Sequence, residues 1–479
     1  MQKPWYVGQK AFLPYLAPLL GGVLVAVAIA FFLVQEIWFL AVALAFAVPV
    51  AVLLNRYPFV AIMLWILILP LFPPVPGNRY LYWAVHQGLM PLALGINLVS
   101  RMLRLKEHPP VRLNLADLVV VLYISMAILT ILFNKDISSD TATYARTLYN
   151  RTGVAFVGYW LVRFLHVEEK DWLRLIPLFL FLTLLEGVVG LLSWFVPEVL
   201  PAMWHSRDGL LGARVTGTFS EPGAYTAALM FFMIFLFQYA MTKARSRAGR
   251  AFLLAIFGFG LVCIFFSFSR GSWLAALVVL LIILYLYPRP VLILVGLTLP
   301  LMFLLAMGPL SNEFAWAMQR LETEQTVESR MVLAHAGKKM FLAKPIFGWG
   351  YGSYDLYDWR FIERLDNIAP TRWDLEKGTS HNSYLTILAE TGMVGLLLYV
   401  FPVLWWFGLT VRKFRHVPVG GFWDRRLLIL MWAFILFYAL ITQFFDIRFF
   451  WFTQGTAWLV LGLIALTLQR SEKGSDALV

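Results

Sequence analysis

A single cysteine, Cys263, stands among 479 residues and lies in an apolar run, so the chain carries no disulfide framework. The seven histidines are scattered, form no HExxH pair, and have no paired acidic ligands at useful spacing. No Walker A sequence occurs either. Metal-dependent or nucleotide-driven chemistry is therefore not indicated, and no cofactor or metal is expected. Charge is scarce, at 14% of the residues. The net charge of +12 is spread over short loops rather than gathered into a patch, which argues against nucleic acid as a partner.

Apolar residues fill the space that charge leaves, at 61% of the chain. Runs long enough to cross a hydrocarbon core of about 30 Å fall at 12–33, 37–54, 58–73, 80–99, 114–133, 152–166, 172–196, 219–241, 250–267, 272–288, 290–308, 382–410, 427–445 and 449–469. The expected fold is thus an all-α, polytopic transmembrane helix bundle of 12–14 spans. The first run is too long for a signal-peptide core and reads as an uncleaved span. With the N-terminus cytoplasmic, 22 Lys and Arg residues fall on the inner side and 8 in the short outer loops, which places both termini inside.

One long hydrophilic stretch interrupts the pattern, from about Gly308 to Ser380, and the same topology puts it outside. The chain therefore divides into an N-terminal bundle (1–308, about 11 spans), an outer loop (309–380), C-terminal helices (381–470) and a cytoplasmic tail (471–479). Within the loop, Asn312 to Ala343 has helical spacing and is expected to form two helices on the membrane surface. Pro345 to Tyr354 then breaks the pattern with glycines and aromatic rings. Trp349, Tyr351, Tyr354 and Trp359 suit either sugar stacking or interfacial anchoring.

The loop ends at Gly378-Thr379-Ser380-His381-Asn382-Ser383-Tyr384, where polar chain becomes a long apolar helix. A cap by Thr379 or Ser380 would set His381 in the first turn, among free N–H groups that attract anions. At 100° per residue, Gly392 would lie about 20° from His381 on one helix face, with Tyr384 near it. A helix N-terminus disfavours imidazolium, so a neutral ring able to accept a proton is expected. Four arginines are expected at the same outer face: Arg214, Arg270, Arg330 and Arg448. Their planar forks suit phosphate oxygens. Each could equally be an interfacial arginine reaching for headgroups. Glu221, before Pro222, either orients a sugar or a partner arginine or is simply a first-turn acid. Glu186 and Glu390 read as structural hydrogen-bonding groups.

These residues together resemble the O-antigen ligase and polymerase superfamily. The match rests on His381-Asn382 followed after nine residues by Gly392-Met393-Val394-Gly395, on Ser269-Arg270-Gly271, on Ser329-Arg330, and on Gly217-Thr218-Phe219-Ser220-Glu221-Pro222, spanning roughly Gly212 to Arg448. The resemblance implies a bacterial inner-membrane enzyme acting at the periplasmic face on a glycan carried by undecaprenyl diphosphate. It implies metal-independent, inverting transfer with His381 as base and Arg270 and Arg330 on the diphosphate. Arg214, Glu221, Asn382, Tyr384 and Arg448 would contact substrate. The acceptor is a sugar on lipid A-core for a ligase, another lipid-linked repeat for a polymerase, or a protein for a protein-directed relative. A transporter of lipid-linked glycans is the competing class; it would bring charged or broken helices near the bilayer midplane and an internal repeat, whereas the spans are mostly uncharged and no repeat is evident.

Overall fold

The computed structural model describes residues 49–73, 79–105, 110–134, 136, 140–165, 167–201, 204, 215–219, 221–308, 311, 315, 325–365, 368, 370 and 380–476. The run at 12–33 and most of 37–54 lie outside them, as does Arg214. The described chain is a bundle of helices. Seven are long and apolar enough to cross a membrane, or eight if the pair Pro49–Arg56 and Phe59–Leu71, bent by 113°, counts as one broken span. Arg270–Leu286 is a shorter apolar helix beside them. The run expected at 80–99 is interrupted by a π turn at Val85–Leu89, and the one at 152–166 follows a second π turn at Tyr149–Gly153.

Burial sorts the spans. Pro222–Thr242 and Trp451–Arg470 are 89% and 94% buried along their apolar windows and form the middle of the bundle, whereas Pro288–Leu305, at 11%, lies at its edge. Small residues let the central helices touch. A Cβ on Gly462 would stand 2.7 Å from the Tyr159 carbonyl oxygen, so Val154–Leu165 and Trp451–Asp476 pack nearly backbone to backbone. Helices from the start and the end of the chain thus share one core. The last helix also continues to Asp476, through what the sequence marks as tail.

Polar clasps fix the ends. Arg163 pairs with Asp117, the Tyr159 hydroxyl donates to Asp117 (2.9 Å), and Trp406 Nε1 donates to Tyr159 (2.9 Å), which ties three spans. Asp424 caps Arg425–Ile441 through the N–H groups of Arg426 and Leu427, and accepts from Gln238 Nε2 at 3.0 Å. That clasp lies at one end of Arg425–Ile441; the turn after Ile441, about 26 Å away at 1.5 Å per residue, is where the candidate site residues gather.

In the long loop, the described helix is Gln325–Ala343. It buries Val332, Leu333, Ala336 and Met340, one helical face. A Cβ at Gly337 would sit 3.0 Å from Leu385 and 3.1 Å from the Tyr354 hydroxyl, so the helix docks on the start of Ser383–Lys413.

The glycine-aromatic segment explains the shape of that last helix. Ser383–Lys413 is not continuous: Gly392 has φ 67° and ψ −170°, which breaks the ladder. The groups freed by the break are met by the loop. Trp349 and Gly350 donate N–H to the carbonyls of Ala389 (3.0 Å) and Glu390 (2.8 Å), and Met393 and Val394 donate to those of Pro345 (2.8 Å) and Ile346 (3.2 Å). Gly392 therefore does not share one uninterrupted helix face with His381. It is the point where loop backbone replaces helix backbone.

Candidate active site

Helix capping at the junction differs from the expectation. Asn382 is the N-cap, its Oδ1 accepting the N–H of Leu385 at 3.0 Å, so His381 lies just outside the helix rather than in its first turn. Asn is among the strongest capping residues, which accounts for the choice over the hydroxyls upstream. Ser380 instead braces the entry, its Oγ accepting the N–H of Asn382 (3.2 Å) and lying 2.7 Å from Thr386 Oγ1. Thr379 lies outside the described residues. His381 adopts φ 53°, a left-handed conformation that costs a non-glycine residue energy. It is half-buried.

The element that gathers the site is the turn Thr442 to Phe450, of which the sequence reading singles out only Arg448. Asn382 Nδ2 donates to Gln443 Oε1 at 3.1 Å. Ser383 donates its N–H to the Thr442 carbonyl (2.9 Å) and its Oγ–H to that of Phe445 (3.1 Å), while its Oγ accepts the Ile447 N–H (2.9 Å). Tyr384 reaches Thr442 through its side chain. The start of the His381 helix is thus sewn to this turn on three sides.

Two other helix starts dock on the same turn through glycines. A Cβ at Gly271 would stand 2.5 Å from the Phe444 ring, and one at Gly223 would stand 2.7 Å from the Phe445 ring. These positions follow Arg270 and Glu221 closely, so the phenylalanines bring both residues to the turn. Thr226 Oγ1 and Ser272 Oγ, 2.8 Å apart, join the two helices. Ser269 caps Arg270–Leu286, leaving Arg270 exposed in the first turn. Glu221 is the N-cap of Pro222–Thr242, its own carboxylate making no cap bond, and it is half-buried. Arg330 arrives from the loop helix, its guanidinium carbon 5.7 Å from the centroid of Phe445. Arg270, Arg330, Glu221, His381, Asn382 and Tyr384 are therefore assembled around Gln443, Phe444 and Phe445. The helix-start glycines are the sequence signal for this, since a glycine at such a place marks a close approach.

Glu186 anchors the segment ahead of Glu221. It receives both the N–H (2.9 Å) and the hydroxyl (2.7 Å) of Thr218, and Gly217, with φ 57°, lets the chain turn there. Its reading as a structural hydrogen-bonding group fits this geometry.

Arg448 differs from the other arginines. It is fully buried, its Nε and Nη2 donate to Asp446 (2.9 and 2.8 Å), and its Nη1 donates to Glu390 (2.8 Å). Burial opposes its charge, but Asp446 and Glu390 outweigh that and hold its pKa well above the ordinary value; in turn, burial would raise the Asp446 carboxyl, yet Arg448 keeps it below its usual range. The ion-paired cluster links the turn to the last helical turn before Gly392. Of the aromatic residues, Tyr351 and Tyr354 are buried and unavailable for sugar stacking, whereas Trp359 is 58% exposed.

A half-buried imidazole stands beside a fixed amide, and the guanidiniums of Arg270 and Arg330 and the carboxylate of Glu221 come to the same turn. That combination suits transfer of a group from an anionic leaving group to a hydroxyl.

No curated protein matches the chain. Residues 252–400 match the family model described as O-antigen ligase, a stretch that holds Arg270, Arg330, His381, Asn382, Tyr384, Glu390 and Gly392. Over that stretch the chain is similar to the O-antigen ligases, which supports a membrane enzyme of ligase or polymerase type, and its long apolar helices fit such a protein.

Proposed function

We propose that this protein is a membrane glycosyltransferase that moves a glycan from undecaprenyl diphosphate to a sugar hydroxyl of lipid A-core at the periplasmic face of a bacterial inner membrane. One observation carries the reading: four separate segments deliver Arg270, Arg330, Glu221 and His381-Asn382 to the single turn at Gln443–Phe445. His381 takes the proton of the acceptor hydroxyl, whose oxygen attacks the anomeric carbon. The bond from that carbon to the diphosphate oxygen breaks, and undecaprenyl diphosphate leaves with the electron pair. Attack opposite the leaving group inverts the carbon.

Charge grows on the diphosphate as it departs, and Arg270 and Arg330, with Arg214 from the segment preceding Glu221, offset it. Loss of one such donor costs about 2.7–4 kcal/mol in the transition state. Glu221, Asn382 and Tyr384 line the same group and position the sugars. Arg448, already committed to two carboxylates, holds the turn in place instead of meeting substrate.

The test is incubation of the purified full chain with lipid-linked repeat units, with and without lipid A-core, and separation of the products by gel. Glycan on lipid A-core is the expected result. Longer lipid-linked chains would make it a polymerase, and movement of lipid-linked glycan across proteoliposomes with no transfer would make it a transporter.

A further inference from the structure

Two arginines at the same end of the bundle take no part in the mechanism above. Arg151 lies in the π turn Tyr149–Gly153, its guanidinium carbon 3.9 Å from the centroid of the Phe449 ring. Arg146, in the helix just before, stacks at 3.9 Å on Trp83. Trp83 meets Trp451 edge-on at 5.9 Å, and Trp451 follows Phe449 by two residues, so the rings that carry the two cations belong to neighbouring positions of the same turn and helix start. Arg146 is exposed and Arg151 half-buried.

Their partners set them apart from the other arginines of the bundle. Arg163 and Arg448 are buried and bound to carboxylates. Arg146 and Arg151 form no ion pair or side-chain hydrogen bond with a described residue. Two carboxylates feel the charge of Arg151, Asp446 and Asp355, and the first is already held twice by Arg448. A guanidinium held by a ring face keeps its in-plane N–H groups for oxygen ligands. Π turns within helices are frequent at functional sites, and here one carries Arg151 to the Phe449 ring.

The position relative to the active-site group follows from the turn. Arg330 stacks on Phe445 and Arg151 on Phe449, four residues on, a distance of at most about 14 Å between the two α-carbons. The two pairs of cations therefore flank one short turn.

We propose that Arg146 and Arg151 form a second phosphate-binding site, separate from Arg270 and Arg330, that takes the phosphate of a lipid. The lipid is either the acceptor substrate of the transfer reaction, a choice that rests on the function proposed above, or an anionic phospholipid of the surrounding bilayer.

The experiment uses the full chain in phosphatidylcholine nanodiscs, titrated separately with phosphatidylglycerol and with a lipid A-core acceptor, with bound lipid counted by native mass spectrometry and transfer kinetics recorded in parallel. The variants are R146Q/R151Q and R151K, each first checked for wild-type melting. A fall of about tenfold in affinity for one lipid, with partial recovery in R151K, supports the site. If it is the acceptor, its KM rises while the donor KM holds; if it is the phospholipid, phosphatidylglycerol retention falls and neither KM moves. Wild-type affinity for both lipids in R146Q/R151Q overturns the proposal. Should the wild-type chain transfer no glycan, the function proposed above fails, and the binding titration still decides this site.

Discussion

One side chain, that of Asn382, both caps a helix and holds a turn: its Oδ1 accepts the Leu385 N–H at 3.0 Å while its Nδ2 donates to Gln443 Oε1 at 3.1 Å. The two roles separate by substitution. Asn382→Asp keeps the cap and loses the donor to Gln443, so it should melt like wild type and transfer glycan at least tenfold more slowly. Asn382→Ala loses both and should also cost about 1 kcal/mol in stability. Thermal unfolding in detergent, paired with transfer assays, distinguishes them.

Gly392→Ala should be among the most destabilising single changes in the C-terminal half. Its φ of 67° with ψ of −170° is open only to glycine, and a Cβ would stand 2.2 Å from the Ile346 carbonyl oxygen, which is rigid backbone. Strain of this kind costs about 1–3 kcal/mol before any clash. A lowered melting temperature with early exposure of 345–350 to hydrogen exchange is the expected signature.

The cluster of Glu390, Asp446 and Arg448 predicts an asymmetry. Arg448→Met leaves two buried carboxylates uncompensated and should destabilise by about 3–5 kcal/mol, whereas replacing all three residues with apolar ones of similar size should cost far less. A melting series over the single and triple variants checks this, and transfer should stay impaired in both because the turn is no longer held.

Asp358 gives a pH dependence outside the membrane. Its carboxyl is buried, with Oδ1 accepting the Trp359 N–H at 2.7 Å and Oδ2 lacking a partner among the described residues. Burial, with Asp355 nearby, raises its pKa to about 7. An acid raised in the folded state holds its proton longer than in the unfolded chain, so its contribution is fullest below the ordinary carboxylate range and is lost as pH rises through about 7. Hydrogen exchange in 354–361, corrected for intrinsic rate, should be faster at pH 8 than at pH 6, and Asp358→Asn should flatten the difference.

Much of this was legible beforehand where hydrophobicity alone decides. The runs at 250–267, 272–288 and 290–308 correspond to Arg247–Phe266, Arg270–Leu286 and Pro288–Met307. It failed where tertiary contact decides. The run at 427–445 was continuous by composition, but the helix stops at Ile441, because Phe444 and Phe445 spend their apolar rings on the glycines of two other helices rather than on lipid. Gly392 likewise left the apolar pattern intact while breaking the backbone. Thr379 and Ser380 read as the caps of the His381 helix, whereas the cap falls on Asn382, whose amide also meets Gln443 from a distant part of the chain. Arg448 read as one more outer arginine, since nothing in the spacing of Glu390 and Asp446 announces that they converge on it.

The account turns on His381 as the proton acceptor beside arginines that hold the diphosphate. The most direct measurement is single-turnover transfer from a purified lipid-linked donor by His381→Ala and Arg270→Ala proteins with wild-type melting behaviour. His381→Ala should bind donor normally and transfer almost nothing, and Arg270→Ala should lose about 100-fold or more in rate. Wild-type turnover by both proteins would contradict it.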